Sequence, residues 1–188
     1  QGGVSPIPVS TVSKFESQVY PTNIWGLGIL TNSWMPSRFS FILPAYPAKA
    51  MEKYSKTNYE KAVNTYDNYK AAIQKLKDNG FYVIGRIVVF KDSYYANDNP
   101  ENVISSKSTG KPYSLSKSYW PSAYSRHVWE FNVALAKEAV EEMGFNEIQF
   151  DYVRFPDRIG SIESRLDMKN TYNEDKAQAL QGFLFYAC

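Results

Sequence analysis

The acidic side chain most suited to chemistry in this 188-residue chain is an aspartate toward the end of an apolar segment. Asp151 lies in the segment Glu147–Pro156, whose composition is typical of a buried β-strand. If the strand is regular, Gln149 and Asp151 share one face, because side chains alternate along a strand. We therefore take Asp151 as a candidate catalytic carboxylate.

A second apolar segment, also a predicted strand, carries an arginine that alternation along the strand could place on the same face of the sheet as Asp151. Arg86 lies inside the predicted strand Phe81–Phe90, and Asp92 follows at its end. A charge in an apolar interior requires a partner, so we expect an ion pair of Asp151 with either Arg86 or Arg154. A neighbouring guanidinium stabilises the charged form of a carboxylate, which suits a nucleophile or base better than an acid. A buried ion pair with a purely structural role remains the alternative.

Other kinds of catalytic chemistry have little support in the sequence. His127 is the single histidine, so a Ser–His triad or a histidine-based metal cluster would depend on that one residue. Cys188 is the single cysteine and has no evident base partner. No Gly-rich phosphate loop is present, and we predict neither a metal nor a cofactor. Carboxylate chemistry is left, with Asp151 and Asp92 as candidates.

Helices and strands alternate from about residue 58 onward. The apolar spacing and the capping residues predict the following elements: a helix from Asn58 to Asn79-Gly80, the strand Phe81–Phe90, a helix over Ser125–Met143 ended by Gly144, a strand from Glu147 to Phe155, and a last helix capped by Asn173. The order implies parallel strands joined by right-handed crossovers. The loops from strand to helix are long, as in barrels that build a site from them.

The fold class that we predict is α/β, as an incomplete (β/α)8 TIM-barrel segment with parallel strands. Residues 1–188 are taken as one partial barrel domain with an irregular lead-in over 1–22, and Ile24–Leu30 is a possible extra strand. A whole barrel has eight strands and about 200 residues or more. Two strands are clear here, and the chain stops where the next would start.

Aromatic residues make up 16% of the chain, which suits either sugar stacking or ordinary core packing. Trp120 lies in the long loop together with Tyr113, Tyr119 and Tyr124. These rings could form an aromatic wall over the barrel mouth, or they could simply pack the loop.

Net charge and hydropathy exclude some partners. The net charge of +2 comes with no basic stripe, so we expect no nucleic acid partner. No run of about 20 apolar residues is present, so we expect no membrane span. The chain begins with Gln rather than Met, which is expected of a processed or truncated product and allows an exported one. The sequence does not indicate an oligomeric state.

The segments Gly85–Asp92 and Asn146–Pro156 resemble a bacterial family known as the "putative glycosyl hydrolase domain" family. Tyr119–Ser122 and the turn Gly144–Glu147 match it as well, and the similarity extends over about residues 65–188. The resemblance implies a barrel related to those of α-amylases and α-galactosidases, with Asp151 as nucleophile. The family has an acidic motif after an upstream strand, whereas residues 24–45 here contain no Asp or Glu.

The function that follows as a hypothesis is hydrolysis of an O-glycosidic bond in a carbohydrate. Asp151 would be the nucleophile or electrostatic stabiliser, and the general acid would be Asp92 or a residue outside this chain. The expected substrate-binding residues are Arg86, Gln149, Tyr152, Arg154 and Trp120. A non-catalytic carbohydrate-binding or cell-envelope module, or an inactive barrel fragment, is the alternative.

Overall fold

The computed structural model describes residues 44–188 and the short strand Leu27–Gly28. The predicted lead-in over 1–22 lies outside the described residues. The helices are α1 (Lys49–Tyr54), α2 (Lys56–Glu60), α3 (Tyr66–Asp78), α4 (Ser93–Asp98), α5 (Arg126–Glu138) and α6 (Lys176–Ala187). The strands are β1 (Leu27–Gly28), β2 (Ile84–Val88), β3 (Ser105–Ser106), β4 (Glu147–Asp151) and β5 (Leu166–Asp167). No helix among the described residues is long and apolar enough to cross a membrane.

The main sheet has the strand order β1-β2-β4. Strands β2 and β4 are parallel, with Ile84 opposite Glu147 and Val88 opposite Asp151, which confirms the predicted parallel pair and a mixed α/β fold. Strand β1 falls within the segment suggested as an extra strand, but it runs antiparallel to β2. The sheet is therefore mixed, whereas the sequence indicated parallel strands throughout. A small second sheet pairs β3 with β5 and was not predicted.

The first predicted helix begins later than expected, because Asn58 is not its cap. Thr65 caps α3 by accepting a hydrogen bond from the amide of Asn68, and Gly80, at φ +81°, follows the end of the helix. Asn58 instead lies inside the separate short helix α2. The chain turns between α2 and α3, where the Val63 amide bonds to the carbonyl of Pro44.

The other two predicted helices are present, and one begins at a different cap. Helix α5 starts after Ser125 and continues as a π-helical turn to Met143, where Gly144 at φ +86° ends it as predicted. Helix α6 is capped by Asp175 rather than Asn173. Asp175 and Gln178 form a reciprocal capping box, which satisfies free backbone groups at the helix start.

Both main strands are shorter than the apolar segments that predicted them. Strand β2 spans Ile84–Val88 and β4 spans Glu147–Asp151. Strand β4 ends at Asp151 because the next residue, Tyr152, has a left-handed backbone at φ +55°. Val89 and Phe90, which follow β2, lie in the core, and Val153 and Phe155, which follow β4, pack against it.

The two faces of the β2–β4 pair differ in chemistry. One face carries Gly85, Ile87, Ile148 and Phe150, and helices cover it: Phe150 meets Phe183 of α6 edge-on at 5.3 Å between ring centres. A small apolar cavity on this side is lined by side chains of α1 and α5. The opposite face carries Arg86, Gln149 and Asp151. The apolar core therefore lies on one side of the sheet and the polar candidates lie on the other.

The close fit at Gly85 yields a stability prediction. A Cβ atom added there would lie 2.9 Å from Ile148 Cδ1 and 3.1 Å from Phe145 Cδ1. Gly85→Ala should therefore lower the free energy of unfolding by about 1–3 kcal/mol through overpacking, measured by urea denaturation. Gly160→Ala is the matched control because an added Cβ would meet nothing within 4 Å. Equal stability of the two variants would contradict the packing described here.

Candidate functional site

The candidate site is built on a contact between the two parallel strands. Arg86 donates from Nε to Asp151 Oδ2 at 2.8 Å, and its Nη2 donates to the same oxygen. Asp151 lies opposite Val88, so the guanidinium reaches forward along the sheet from the preceding position on that face. Of the two pairings that the sequence allowed for Asp151, the structure contains the one with Arg86.

The second oxygen of Asp151 is bound by the adjacent backbone. The amide of Tyr152 donates to Oδ1 at 2.6 Å, and the left-handed backbone of Tyr152 accompanies this bond. Each carboxylate oxygen can accept about two hydrogen bonds. Oδ2 has two donors, whereas Oδ1 has one, so Oδ1 keeps acceptor capacity for a ligand. The Asp151 side chain is 37% exposed, which leaves it open to solvent.

Arg154 and Gln149 lie near this pair without joining it. Arg154 donates to Asp157 Oδ1 at 2.7 Å rather than to Asp151. Gln149 lies opposite Arg86 in the strand register and its side chain is exposed. Both residues thus lie on or beside the face that carries Asp151, where a ligand could reach them.

A group of aromatic and cationic side chains lies just beyond the strand ends. We call Trp120, Tyr152, Lys91 and Arg154 the cation–aromatic cluster. The rings of Trp120 and Tyr152 meet edge-on at 6.0 Å, and Lys91 Nζ lies 4.8 Å from the centre of the Tyr152 ring. The Arg154 guanidinium is 5.3 Å from both ring centres. The carboxyl ends of β2 and β4 are therefore flanked by positive charge and aromatic surface.

Trp120 takes a different place from the aromatic wall suggested by the sequence. It is only 3% exposed, and its indole Nε1 donates to the carbonyl of Leu115. Tyr124 is buried as well, while Tyr113 and Tyr119 are exposed. Loop packing, the alternative that the sequence left open, describes Trp120 and Tyr124. Tyr152 is the partly exposed ring beside Asp151.

Asp92 has the contacts of a helix cap. Its Oδ1 accepts from the amides of Tyr94 and Tyr95 at the start of α4, and its Oδ2 accepts from Asn58 Nδ2 at 2.8 Å. The residue is 7% exposed. Burial raises the pKa of the Asp92 carboxyl, and the hydrogen bonds from Tyr95, Asn58 and Tyr94 oppose that rise. The carboxylate thus holds α2 and α4 together and is covered on both oxygens.

Two residues with a part in these contacts were missed at the sequence level. Lys91 was given no role, although it follows the predicted strand at the edge where a site was expected. Listing every polar residue just after a strand would have found it. Asn58 was taken as a cap, and its bond to Asp92 spans 34 positions in sequence. No local pattern could have indicated that contact.

A second cleft, of about 400 Å³, lies at the start of α5. Two cations that line it are already paired: Arg126 with Glu174 and Lys169 with Asp167, each at 2.7 Å. His127 also lines it and bonds through Nδ1 to the buried Tyr95 hydroxyl at 2.6 Å. Within residues 44–188, no group of three His, Cys, Asp or Glu side chains is placed to hold a metal ion.

Comparison with known proteins gives one family and one structural neighbour. A family model described as "Putative glycosyl hydrolase domain" matches residues 46–188. The crystal structure of a hypothetical protein from Ruminiclostridium thermocellum ATCC 27405 is similar, with a TM-score of 0.61 and 25% sequence identity. The alignment covers 96% of this chain and 85% of that one. No protein with a curated description matches the chain.

The capping geometry of Asp92 predicts a loss of stability on substitution. Asp92→Ala removes the acceptor for two helix amides and leaves the buried Asn58 amide group without one of its partners. We expect the free energy of unfolding to fall by about 2 kcal/mol or more. Asp157→Ala is the matched control, because that side chain is 78% exposed and its loss should cost less than about 0.5 kcal/mol. Equal denaturation midpoints would refute the capping role.

Proposed function

This chain belongs to the family described as "Putative glycosyl hydrolase domain", and we propose that it is a glycoside hydrolase with Asp151 as its catalytic carboxylate. The observation that carries the proposal is the state of Asp151 itself. It is a solvent-accessible carboxylate, held by a guanidinium and a backbone amide, at the carboxyl end of a parallel strand. Strand ends of this kind bear the catalytic groups in α/β barrels.

Glycoside hydrolysis proceeds through a transition state in which positive charge develops on the sugar ring. An ionised carboxylate beside the anomeric carbon stabilises that charge or attacks it as a nucleophile. We assign this role to Oδ1 of Asp151, because Oδ2 is already occupied by both donors from Arg86. Arg86 is a positioning residue in this proposal, since its two donors on Oδ2, together with the Tyr152 amide on Oδ1, fix the rotation of the carboxylate.

The proposed architecture is a barrel of the (β/α) type. Its support is the arrangement of β2 and β4, whose helices cover one face while the polar face holds Asp151. Helices outside and functional groups at the strand ends are the barrel pattern. The antiparallel β1 departs from a regular parallel barrel at that position.

The general acid of the proposal is not Asp92. A general acid must reach the leaving-group oxygen, and Asp92 is covered by Asn58 and by two helix amides. Both of its oxygens are taken up by these internal hydrogen bonds, and the residue is only 7% exposed, so a leaving-group oxygen has no access to it. Gln149, Tyr152 and Arg154 are proposed as substrate-binding residues because they are accessible beside Asp151. Trp120 is buried and contacts Tyr152 edge-on, so its role is to support that ring.

A carbohydrate-binding module without catalysis is the second candidate. The observation in its favour concerns the neighbours of Asp151 among the described residues: its hydrogen-bonding partners are Arg86 and the amide of Tyr152, and neither links it to another carboxylate. Hydrolysis usually needs two carboxyl groups flanking the scissile bond. A binding module needs only the aromatic and polar surface.

Replacement of the candidate carboxylate tests the enzymatic proposal. The chain should release nitrophenol from at least one member of a panel of nitrophenyl glycosides, or reducing ends from a polysaccharide. Asp151→Asn keeps the shape of the side chain but removes its charge, so we expect the rate to fall by about 100-fold or more.

The matched control is Asp67→Asn, an exposed aspartate in the first turn of α3, which should leave the rate unchanged. Hydrolysis that is insensitive to Asp151→Asn would rule out the assignment of Asp151. Saturable glycan binding without any hydrolysis would favour the binding module instead.

A further inference from the structure

The cation–aromatic cluster has an unbalanced positive charge. Within residues 44–188, Lys91 makes no ion pair with an acidic residue, and its ammonium lies over the rings of Tyr152 and Trp120 at 4.8 and 5.9 Å. The charge of Arg86 is matched by Asp151. Lys91 therefore brings a net positive charge to the strand ends, next to the residue that follows Asp151.

Arg154 adds a second cation that a ligand can recruit. Its partner Asp157 is 78% exposed, and the Arg154 side chain is 43% exposed. Exposed ion pairs are weak because water and salt screen them, so a ligand anion competes with Asp157 at little cost. A guanidinium also offers a planar pair of donors that fits a carboxylate or sulfate.

If Asp151 is catalytic, the positive charge of Lys91 would be unfavourable for the hydrolysis of a neutral substrate. Positive charge grows on the sugar in the transition state of glycoside hydrolysis, and a nearby unpaired ammonium would oppose it. The ammonium would no longer oppose catalysis if the substrate carried its own negative group to pair with it. The cation–π contacts with Tyr152 position the ammonium without neutralising it.

We propose that the site accepts acidic glycans, with Lys91 as the principal residue that selects an anionic substituent on the sugar and Arg154 as the second. The inference rests on the proposed function of the same site. Tyr152 would support the apolar face of the sugar ring, while the two cations would contact a carboxylate or a sulfate ester at its rim. The chemistry shared by these ligands is a fixed negative charge on a pyranose.

Binding to matched pairs of oligosaccharides tests this specificity. Calorimetry with the full chain would compare an oligogalacturonate with its neutral methyl ester, and a sulfated oligosaccharide with its desulfated counterpart. At least one acidic member should bind about tenfold more tightly than its neutral partner, and the preference should weaken as salt rises. The two pairs distinguish a carboxylate from a sulfate as the recognised group.

Variants identify the residues responsible. Lys91→Met keeps the aliphatic stem but loses the charge, and it should remove most of the preference for the acidic member of each pair. Arg154→Gln should reduce the preference by a smaller factor. Lys70→Met, an exposed lysine on α3, is the control and should change neither affinity. Circular dichroism would verify that each variant is folded.

The possible failures are distinguishable. Equal affinity for acidic and neutral members, or a preference that survives Lys91→Met combined with Arg154→Gln, would overturn the inference. If neutral glycans bind as tightly as acidic ones and are hydrolysed in an Asp151-dependent manner, the proposed hydrolase activity is supported and the acidic specificity is refuted. If acidic glycans bind through Lys91 and are not cleaved, the specificity stands and the hydrolase does not. Binding to none of the four ligands would also overturn the inference.

Discussion

The guanidinium of Arg86 bound to the carboxylate of Asp151 is the contact on which the site depends. Both side chains are about one-third exposed, at 34% and 37%. An ion pair at that exposure contributes about 0–1 kcal/mol to the free energy of unfolding, so stability is not its main effect. Its effect is geometric: Arg86 holds Oδ2 while the Tyr152 amide holds Oδ1, which together fix the carboxylate plane. The parallel register keeps Arg86 one side-chain position behind Asp151 on the same face.

The distribution of helices explains why these charges can exist at this position. The face with Ile87 and Phe150 is covered by helices, and Gly85 allows Phe145 and Ile148 to pack closely there. The apolar side chains of the sheet are therefore buried against the helices on that side. The other face is consequently free to carry Arg86, Gln149 and Asp151, which would be costly to bury.

The parts of this structure that could be predicted are those determined by local pattern or by simple electrostatics. Strands β2 and β4 follow from their β-branched and aromatic composition, and an arginine partner for Asp151 follows from the cost of an isolated charge. The helix starts were less predictable. Asn58 and Asn173 are capping residue types, but Thr65 and Asp175 cap the helices instead, through local bonds with Asn68 and Gln178.

The roles of residues with long-range partners could not be predicted, because no local sequence pattern marks those contacts. Asp92 lies at a strand end, as a catalytic residue would, and only the fold reveals that Asn58 and the start of α4 enclose it. Trp120 is likewise an aromatic loop residue whose burial depends on the packing of Tyr152, Lys91 and Arg154 around it. Sequence gives the chemical type of such residues, and the fold decides whether a ligand can reach them.

Tyr152 joins the catalytic and the selective parts of the proposed site. Its left-handed backbone, which costs about 1–3 kcal/mol in a residue other than glycine, turns its amide toward Oδ1 of Asp151 and ends the strand. The same turn carries its ring beneath Lys91 and beside Arg154. One strained residue thus sets both the orientation of the carboxylate and the position of the cations.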